Sequence, residues 1–337
     1  RWLRENVTTE GVVTTTDTWI VHRLCGAFVT DASTASRSLI FDLDAVGWSP
    51  ELLDLFDLSD EALPEIVASD AIVGVTELFG APVPVTGLIV DQQAALLAQA
   101  CLEAGTAKCT FGTGAFLLAQ LDQAPLRSTA GLTTSVAWQL GQRTSYCIDG
   151  QVYTAASAIR WAIELGLVAS ADQLDAVAAP SSEGVVCVPA FAGLAAPWWN
   201  SKATASITGM TLSSGREHVV RALLEGIAAQ VAVLTQLVAA DLGAPMTRLR
   251  VDGGLTRSST LMQAQADLAQ MPVDVYPSTH ATPLGAAACA RLALSPGLTP
   301  EQAVGNWEPH RTYVPQWSPD QAEEFLALWH QAAAAHG

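Results

Sequence analysis

Gly87-Leu88-Ile89-Val90-Asp91-Gln92-Gln93-Ala94-Ala95-Leu96 is an apolar run that ends in a carboxylate, continues with two amides, and then turns to alanines and leucines. The pattern predicts a strand that delivers Asp91 to its C-terminal end, where a helix starts. A carboxylate at that point meets unsatisfied helical N–H groups and the positive end of the helix dipole. Two roles are open to it: a plain N-cap, or a base at the mouth of a site. The next glycine-rich stretch bears on the choice. Lys108-Cys109-Thr110-Phe111-Gly112-Thr113-Gly114-Ala115-Phe116-Leu117-Leu118 consists of two apolar arms joined by Gly-Thr-Gly. A carboxylate so near in sequence to a glycine–hydroxyl turn suggests a base facing a phosphate.

Both arms, 107–111 and 115–121, read as strands, so Gly112-Thr113-Gly114 is expected at a hairpin tip. A dinucleotide-binding loop instead joins a strand to a helix and needs a third glycine at Gly-x-Gly-x-x-Gly spacing. That glycine is absent here. Such a hairpin is either an ordinary tight turn or a set of backbone N–H groups and one hydroxyl aimed at an anion.

Composition narrows the partners. The chain has 337 residues, of which 50% are hydrophobic, enough for two domains with full cores. A net charge of −17 with only 16 basic residues argues against nucleic acid, whose phosphates call for clustered Lys and Arg. An anionic ligand would be held by backbone amides, hydroxyls and a metal ion. The six cysteines (25, 101, 109, 147, 187 and 289) are far apart, without Cys-x-x-Cys pairs or zinc spacing. They read as buried free thiols of a reducing compartment, which with the absence of a visible signal peptide points to the cytoplasm. No apolar run is expected to reach membrane length, so no membrane partner is expected.

The chain opens on Arg1-Trp2-Leu3-Arg4-Glu5, apparently inside a domain. Residues 12–24 read as a short strand and a helix capped near Asp17. Thr30-Asp31-Ala32-Ser33-Thr34-Ala35-Ser36-Arg37 is a turn cluster or a functional loop. Residues 50–58 form a helix with Pro50 at its start. A domain boundary is placed at residue 100, giving 1–100 and 101–337. Beyond it, helices are expected over 153–165, 258–270 and 320–335, and strands over 185–191, 249–251 and 273–276. Residues 216–241 repeat apolar positions every three to four residues and form a central amphipathic helix, with Glu225 and Gln230 solvated or structural. Trp198 and Trp199, after a Gly/Pro turn, are a binding surface or a loop anchored on the core. Asp252-Gly253-Gly254 is a second glycine turn, open to a ligand at a helix N-terminus. Thr282-Pro283-Leu284-Gly285-Ala286-Ala287-Ala288 begins a small-residue helix that packs closely on a neighbour.

In order, these segments resemble the FGGY carbohydrate kinases, and within them the glycerol kinases. The matching residues are Asp17-Thr18-Trp19, Thr30-Asp31 with Ala35-Ser36-Arg37, Asp91-Gln92-Gln93-Ala94-Ala95-Leu96, and Phe111-Gly112-Thr113-Gly114 with Phe116. Further along they are Val188-Pro189-Ala190-Phe191 with Ala196-Pro197-Trp198-Trp199, Asp252-Gly253-Gly254 with Leu261-Met262-Gln263, and Leu284-Gly285-Ala286-Ala287. No single motif is decisive; their collinearity over nearly the whole chain is specific. The resemblance implies an α/β, actin-like/RNase H-like ATPase fold, with a partial first domain and a complete second one. It implies ATP with Mg²⁺ and a small polyol or sugar in the cleft between domains, and it leaves room for a homo-oligomer.

The resemblance also assigns roles. Asp91 matches the general base, and Gln92 and Phe116 the polyol-binding amide and aromatic. Gly112 and Thr113 match the second phosphate loop. Gly253, Gly254 and Ser258 match the adenosine motif, and Ala156 and Arg160 stand near the nucleotide. No residue is assigned as a protein metal ligand. Several departures stand out. The family's first phosphate loop, its early Arg-Glu pair and part of its polyol site have no counterpart, so the N-terminal third is expected to be missing and the chain to be inactive as it stands. Ala156 and Arg160 replace the usual Gly and Gln, Ser258 replaces Asn, and the segment from Arg216 matches the second family signature imperfectly. The alternatives are a kinase for a pentulose or other sugar, and an actin-like nucleotide-binding module without chemistry.

Overall fold

The computed structural model describes residues 2–8 and 10–335. Its centre is a seven-stranded mixed sheet built from β1 (Ala107–Phe111), β2 (Ala115–Gln120), β3 (Thr133–Leu140), β4 (Arg143–Val152), β5 (Leu249–Asp252), β6 (Val273–Val275) and β7 (Arg311–Tyr313). Their spatial order is β7-β6-β5-β1-β2-β4-β3. β5 runs parallel to β1 and β6, and the remaining pairs are antiparallel. The register sets Asp252 beside Thr110, Thr110 beside Phe116, and Phe116 beside Gln151. Side chains at paired positions share a face of the sheet. These four therefore form a row across one face.

Six helices cover the two faces or flank them: α1 (Asp91–Ala98), α2 (Ala156–Glu164), α3 (Arg216–Leu242), α4 (Ser259–Ala269), α5 (Ala281–Leu294) and α6 (Pro319–Ala334). Strand alternation divides the core between them. Leu117, Ala119 and Ile148 point to one face, into a cluster with Leu223, Leu224, Ile227, Val231 and Leu234 of α3. Leu118, Cys147 and Trp138 point to the other, against Leu96 and Leu97 of α1 and Ala288 and Cys289 of α5. The result is a helix–sheet–helix sandwich, and the row Asp252–Thr110–Phe116–Gln151 lies on the α1 side.

Most expected elements form, with shifted ends. Three local expectations do not hold, and one that left two readings open is decided. Among the described residues, 12–15 join no ladder, and helix Thr16–Cys25 begins directly after them. Leu88–Val90 is extended but unpaired, because one side chain and one loop carbonyl take N–H groups from it. Leu88 donates to the Ser69 carbonyl at 3.1 Å, and Val90 to Ser33 Oγ at 2.9 Å. Of the two readings of Glu225 and Gln230, solvated or structural, burial selects the structural one: both are buried, and Arg221 donates to Glu225 at 2.6 Å. Finally, α3 is long and apolar enough to cross a membrane, yet 83% of its most apolar window is buried against the sheet and its neighbours. It is the core helix of this sandwich. Of the two tryptophans, the half-buried Trp198 meets Trp329 of the core edge to face, whereas Trp199 is exposed and tied to the Gly131 carbonyl.

Candidate active site

The turn cluster at Thr30–Arg37 builds the approach to Asp91. Asp31 is fully buried and accepts from Ser33 N, Ser33 Oγ, Thr34 N and Ser69 Oγ at 2.6–3.0 Å. Burial pushes its pKa up against these hydrogen bonds. Ser33 Oγ in turn receives the N–H of Val90, the residue before Asp91. Asp91 itself is the first residue of α1, and the N-cap position belongs to Val90. Its exposed carboxylate accepts the adjacent Gln92 N–H at 2.7 Å, and Thr282 at the start of α5 donates to its carbonyl. Gln93 anchors the same turn on β3 through Ser135 Oγ at 3.2 Å. Both the cluster and the amides thus serve one end: to seat the first turn of α1 over the sheet.

Gly112, Thr113 and Gly114 form the tip of the β1–β2 hairpin, as their spacing predicts. The tip is locked to the N-terminus of α2. Ala156 N donates to Gly112 O at 3.0 Å, Ala155 N to Thr113 O at 2.9 Å, and Ser157 Oγ to Thr113 O at 3.0 Å. Pointing the tip's carbonyls back at α2 leaves the exposed Thr113 on the outer side. Arg160, one turn further along α2, is exposed as well.

The second glycine turn closes on the same place. Gly253 has φ 98°, and a Cβ there would sit 2.4 Å from the Phe111 carbonyl. Only glycine both accepts that backbone and lets the turn lie against the base of the hairpin. Ser258 is committed to the start of α4. Its Oγ caps α4 by accepting from Leu261 N and donates to Asp175 Oδ1 at 2.6 Å. Asp175 collects three more hydrogen bonds, from Ser259 N, Ser259 Oγ and Thr260 N. Burial raises its pKa, but these hydrogen bonds outweigh it and hold the carboxyl below its ordinary 3.8. A cleft of ≈ 470 Å³ opens beside Asp252 and Gly253, bounded by Asp175, Tyr276, His310 and Arg311. A larger cavity of ≈ 560 Å³ around Trp138, Arg143 and Leu298 contains none of the residues expected at the site.

Sequence reasoning missed the residue that joins these parts. Lys108 is fully buried on the α1 face of β1. Its Nζ donates to Gln92 Oε1 and, at 2.8 Å, to Thr110 Oγ1; Thr110 donates to Asp252 Oδ1 at 2.5 Å. Burial pushes the ammonium pKa down, and the nearby Asp252 carboxylate opposes that. The polar–apolar alternation Lys108-Cys109-Thr110-Phe111 was the available signal: it places Lys108 and Thr110 on the face opposite Cys109 and Phe111. Gln92, beside Asp91, is thus linked through Lys108 and Thr110 to Asp252 and the Gly253 turn, and Phe116 pairs with Thr110. Gly253 lies against Phe111 at the base of the hairpin, and Gly112 and Thr113 bond the start of α2 at Ala155 and Ala156. Arg160 lies at the margin of this group, Gly254 is exposed beyond the turn, and the Ser258 hydroxyl is committed to Asp175.

A mixed sheet covered by helices on both faces, with two glycine turns at its strand ends and an exposed carboxylate on a helix start, is an α/β scaffold of the actin-like ATPase type. The C-terminal domain of the FGGY family of carbohydrate kinases matches residues 107–294, and its N-terminal domain matches residues 1–98. The chain belongs to the FGGY family of carbohydrate kinases. It is 40% identical over 327 residues to a glycerol kinase of Janthinobacterium sp. (strain Marseille), covering 94% of this chain and 66% of that protein. It is 41% identical over 325 residues to a glycerol kinase of Dechloromonas aromatica (strain RCB), covering 94% and 65%. The chain thus spans just under two thirds of these relatives' length. Among solved structures, Plasmodium falciparum glycerol kinase with ADP superposes at TM-score 0.91 with 30% identity, over 99% of this chain and 70% of that one. A xylulose kinase from Rhodospirillum rubrum, at 24% identity and TM-score 0.83 over 99% and 70%, shares the fold.

Proposed function

We propose that the protein is an ATP-dependent polyol kinase that phosphorylates glycerol to glycerol 3-phosphate. The observation that carries this reading is the seating of Asp91 and Gln92, at the start of α1, over the sheet row that holds Thr110 and Phe116. The named relatives at 40% and 41% identity are glycerol kinases, and one similar structure is a glycerol kinase with ADP. In this reading Asp91 takes the proton of the attacking hydroxyl, Gln92 hydrogen-bonds the polyol, and Phe116 packs on its carbons. Gly112 and Thr113 offer N–H groups and a hydroxyl to the transferred phosphate. Gly253 and Gly254 hold the adenosine side, with Ala156, Arg160 and Ser258 around it.

The donors fit a Mg²⁺ that arrives with the nucleotide. No cluster of three or more His, Cys, Asp or Glu side chains is present among the described residues, and an exposed carboxylate stands at Asp91. Magnesium commonly takes one or two carboxylates plus phosphate oxygens and water. When bound it would supply charge neutralisation for the phosphates; Asp91 acts as the base, and no protein side chain is assigned as a ligand of the metal. Positioning and electrostatics carry most of phosphoryl transfer, so an acidic chain needs no basic patch to do this chemistry. We further infer two units, 1–100 and 101–337, with α1 of the first seated on the sheet of the second, and a cytoplasmic site of action.

The test is the complete open reading frame assayed with ATP against glycerol, xylulose, ribulose and gluconate. Glycerol should give the highest kcat/KM. Asp91→Asn should fold, bind glycerol nearly as well, and lose about 10²- to 10⁴-fold in kcat. A variant that keeps more than about a tenth of wild-type kcat, less loss than even the weak end of a base's contribution, removes Asp91 from the mechanism. A preference for another polyol or sugar overturns the substrate.

A further inference from the structure

Lys108 is a buried cation that the reading above leaves without a task. If filling space were its whole role, a methionine would serve, without the cost of desolvating an ammonium. Its hydrogen bonds have a fixed direction. The Thr110 hydroxyl has one proton and gives it to Asp252 Oδ1, so towards Lys108 it can only accept. The ammonium has donors and no acceptor, so the Gln92 atom it meets must be the amide oxygen. Direction therefore passes from the Asp252 carboxylate through Thr110 and Lys108 to Gln92. With its oxygen held, the half-buried Gln92 is left with its NH₂ as the group to offer a ligand.

We propose that Lys108 is a positioning residue that fixes the Gln92 amide as a hydrogen-bond donor to a hydroxyl oxygen of the polyol. The proposal rests on the assignment of Gln92 to the polyol. It ties polyol recognition to the Asp252–Gly253 turn through a single, partly buried chain of hydrogen bonds.

The experiment compares Gln92→Ala, Gln92→Glu, Lys108→Met and the double variant Gln92→Ala/Lys108→Met in the complete open reading frame. Glycerol and ADP binding are measured by titration calorimetry, and KM for glycerol and for ATP by steady-state kinetics. Gln92→Ala should weaken glycerol about tenfold, the scale of one lost hydrogen bond, with ADP affinity within about twofold. Gln92→Glu keeps oxygens for Lys108 but has no N–H, and should weaken glycerol as much. Lys108→Met should reproduce the glycerol loss, and in the Gln92→Ala background it should add nothing. If Lys108→Met fails to fold, Thr110→Val, which removes the other anchor of Nζ, should give a smaller glycerol-specific loss with the same non-additivity. An unchanged glycerol affinity in Gln92→Ala overturns the assignment of Gln92 and this proposal with it. A glycerol loss in Gln92→Ala that Lys108→Met does not share, or that adds in the double variant, overturns the role of Lys108 and leaves Gln92 in place.

Discussion

Asp175 shows how one carboxylate steadies the start of α4, next to the Gly253 turn, without belonging to a glycine motif. It closes the N-terminus of α4 from outside, accepting from the Ser258 and Ser259 hydroxyls and from the Ser259 and Thr260 N–H groups. Negative charge is favoured there because the helix dipole and the unsatisfied N–H groups both face it. Its folded pKa lies below the ordinary 3.8, so its contribution is fully present above 3.8 and is lost as pH falls through the folded value. Asp175→Asn should cost about 1 kcal/mol at neutral pH, allowing for the water that reaches the carboxylate. In urea titrations the gap between variant and wild type should close as pH drops below 3.8; a gap that stays constant down to strong acid would mean the charge has no part in it. Local sequence could not reveal this contact, because 83 residues separate Asp175 from Ser258.

At the scale of elements, the contact between α1 and α5 decides where Asp91 stands. A Cβ on Gly285 would lie 1.9 Å from the Ala94 carbonyl. The two helices therefore touch backbone to backbone. Backbone cannot yield as a flexible side chain does, so added volume must separate the helices. Gly285→Ala should destabilise the fold by about 1–3 kcal/mol, and Gly285→Val by more. Gly47→Ala is the control: its new Cβ would meet only the Ala45 carbonyl, at an ordinary 3.9 Å, and its melting temperature should stay near wild type. Equal melting temperatures for the Gly285 and Gly47 variants would show that α5 can shift without cost. The close-packing helix was legible in the run of small residues from Gly285 to Ala288. Its partner was not, because α1 and α5 lie far apart in sequence and a small-residue stripe does not name what it packs against.

For the molecule as a whole, the cysteines report on the integrity of the sandwich. Cys101, Cys109, Cys147, Cys187 and Cys289 are buried and unpaired, and Cys25 is partly exposed. Burial pushes the thiols of Cys147, Cys187 and Cys289 up to about 12, far from the thiolate form that reacts. A thiol reagent at neutral pH should modify Cys25 in the native protein and the other five only on unfolding. Rapid labelling of Cys147 or Cys289 in native buffer, read by peptide mass spectrometry, would show that the α1–sheet interface opens readily.

The sequence by itself determined the local elements and their chemistry. Apolar periodicity marked α3, the Gly-Thr-Gly turn between apolar arms marked the β1–β2 hairpin, and the collinear motifs pointed to the FGGY kinases. These features depend on residues within a few positions of one another, or on motif order, and both can be read along a chain. The tertiary structure alone decided what Asp91 and Gln92 stand over. Strand register brought Thr110, Phe116 and Asp252 into one row, a serine hydroxyl and a loop carbonyl replaced a ladder at Leu88–Val90, and burial turned Lys108 into the link between Gln92 and Asp252. Such contacts span from 16 residues for Lys108 and Gln92 to 142 for Thr110 and Asp252. No periodicity encodes them; they exist only once the sheet has fixed which side chains share a face.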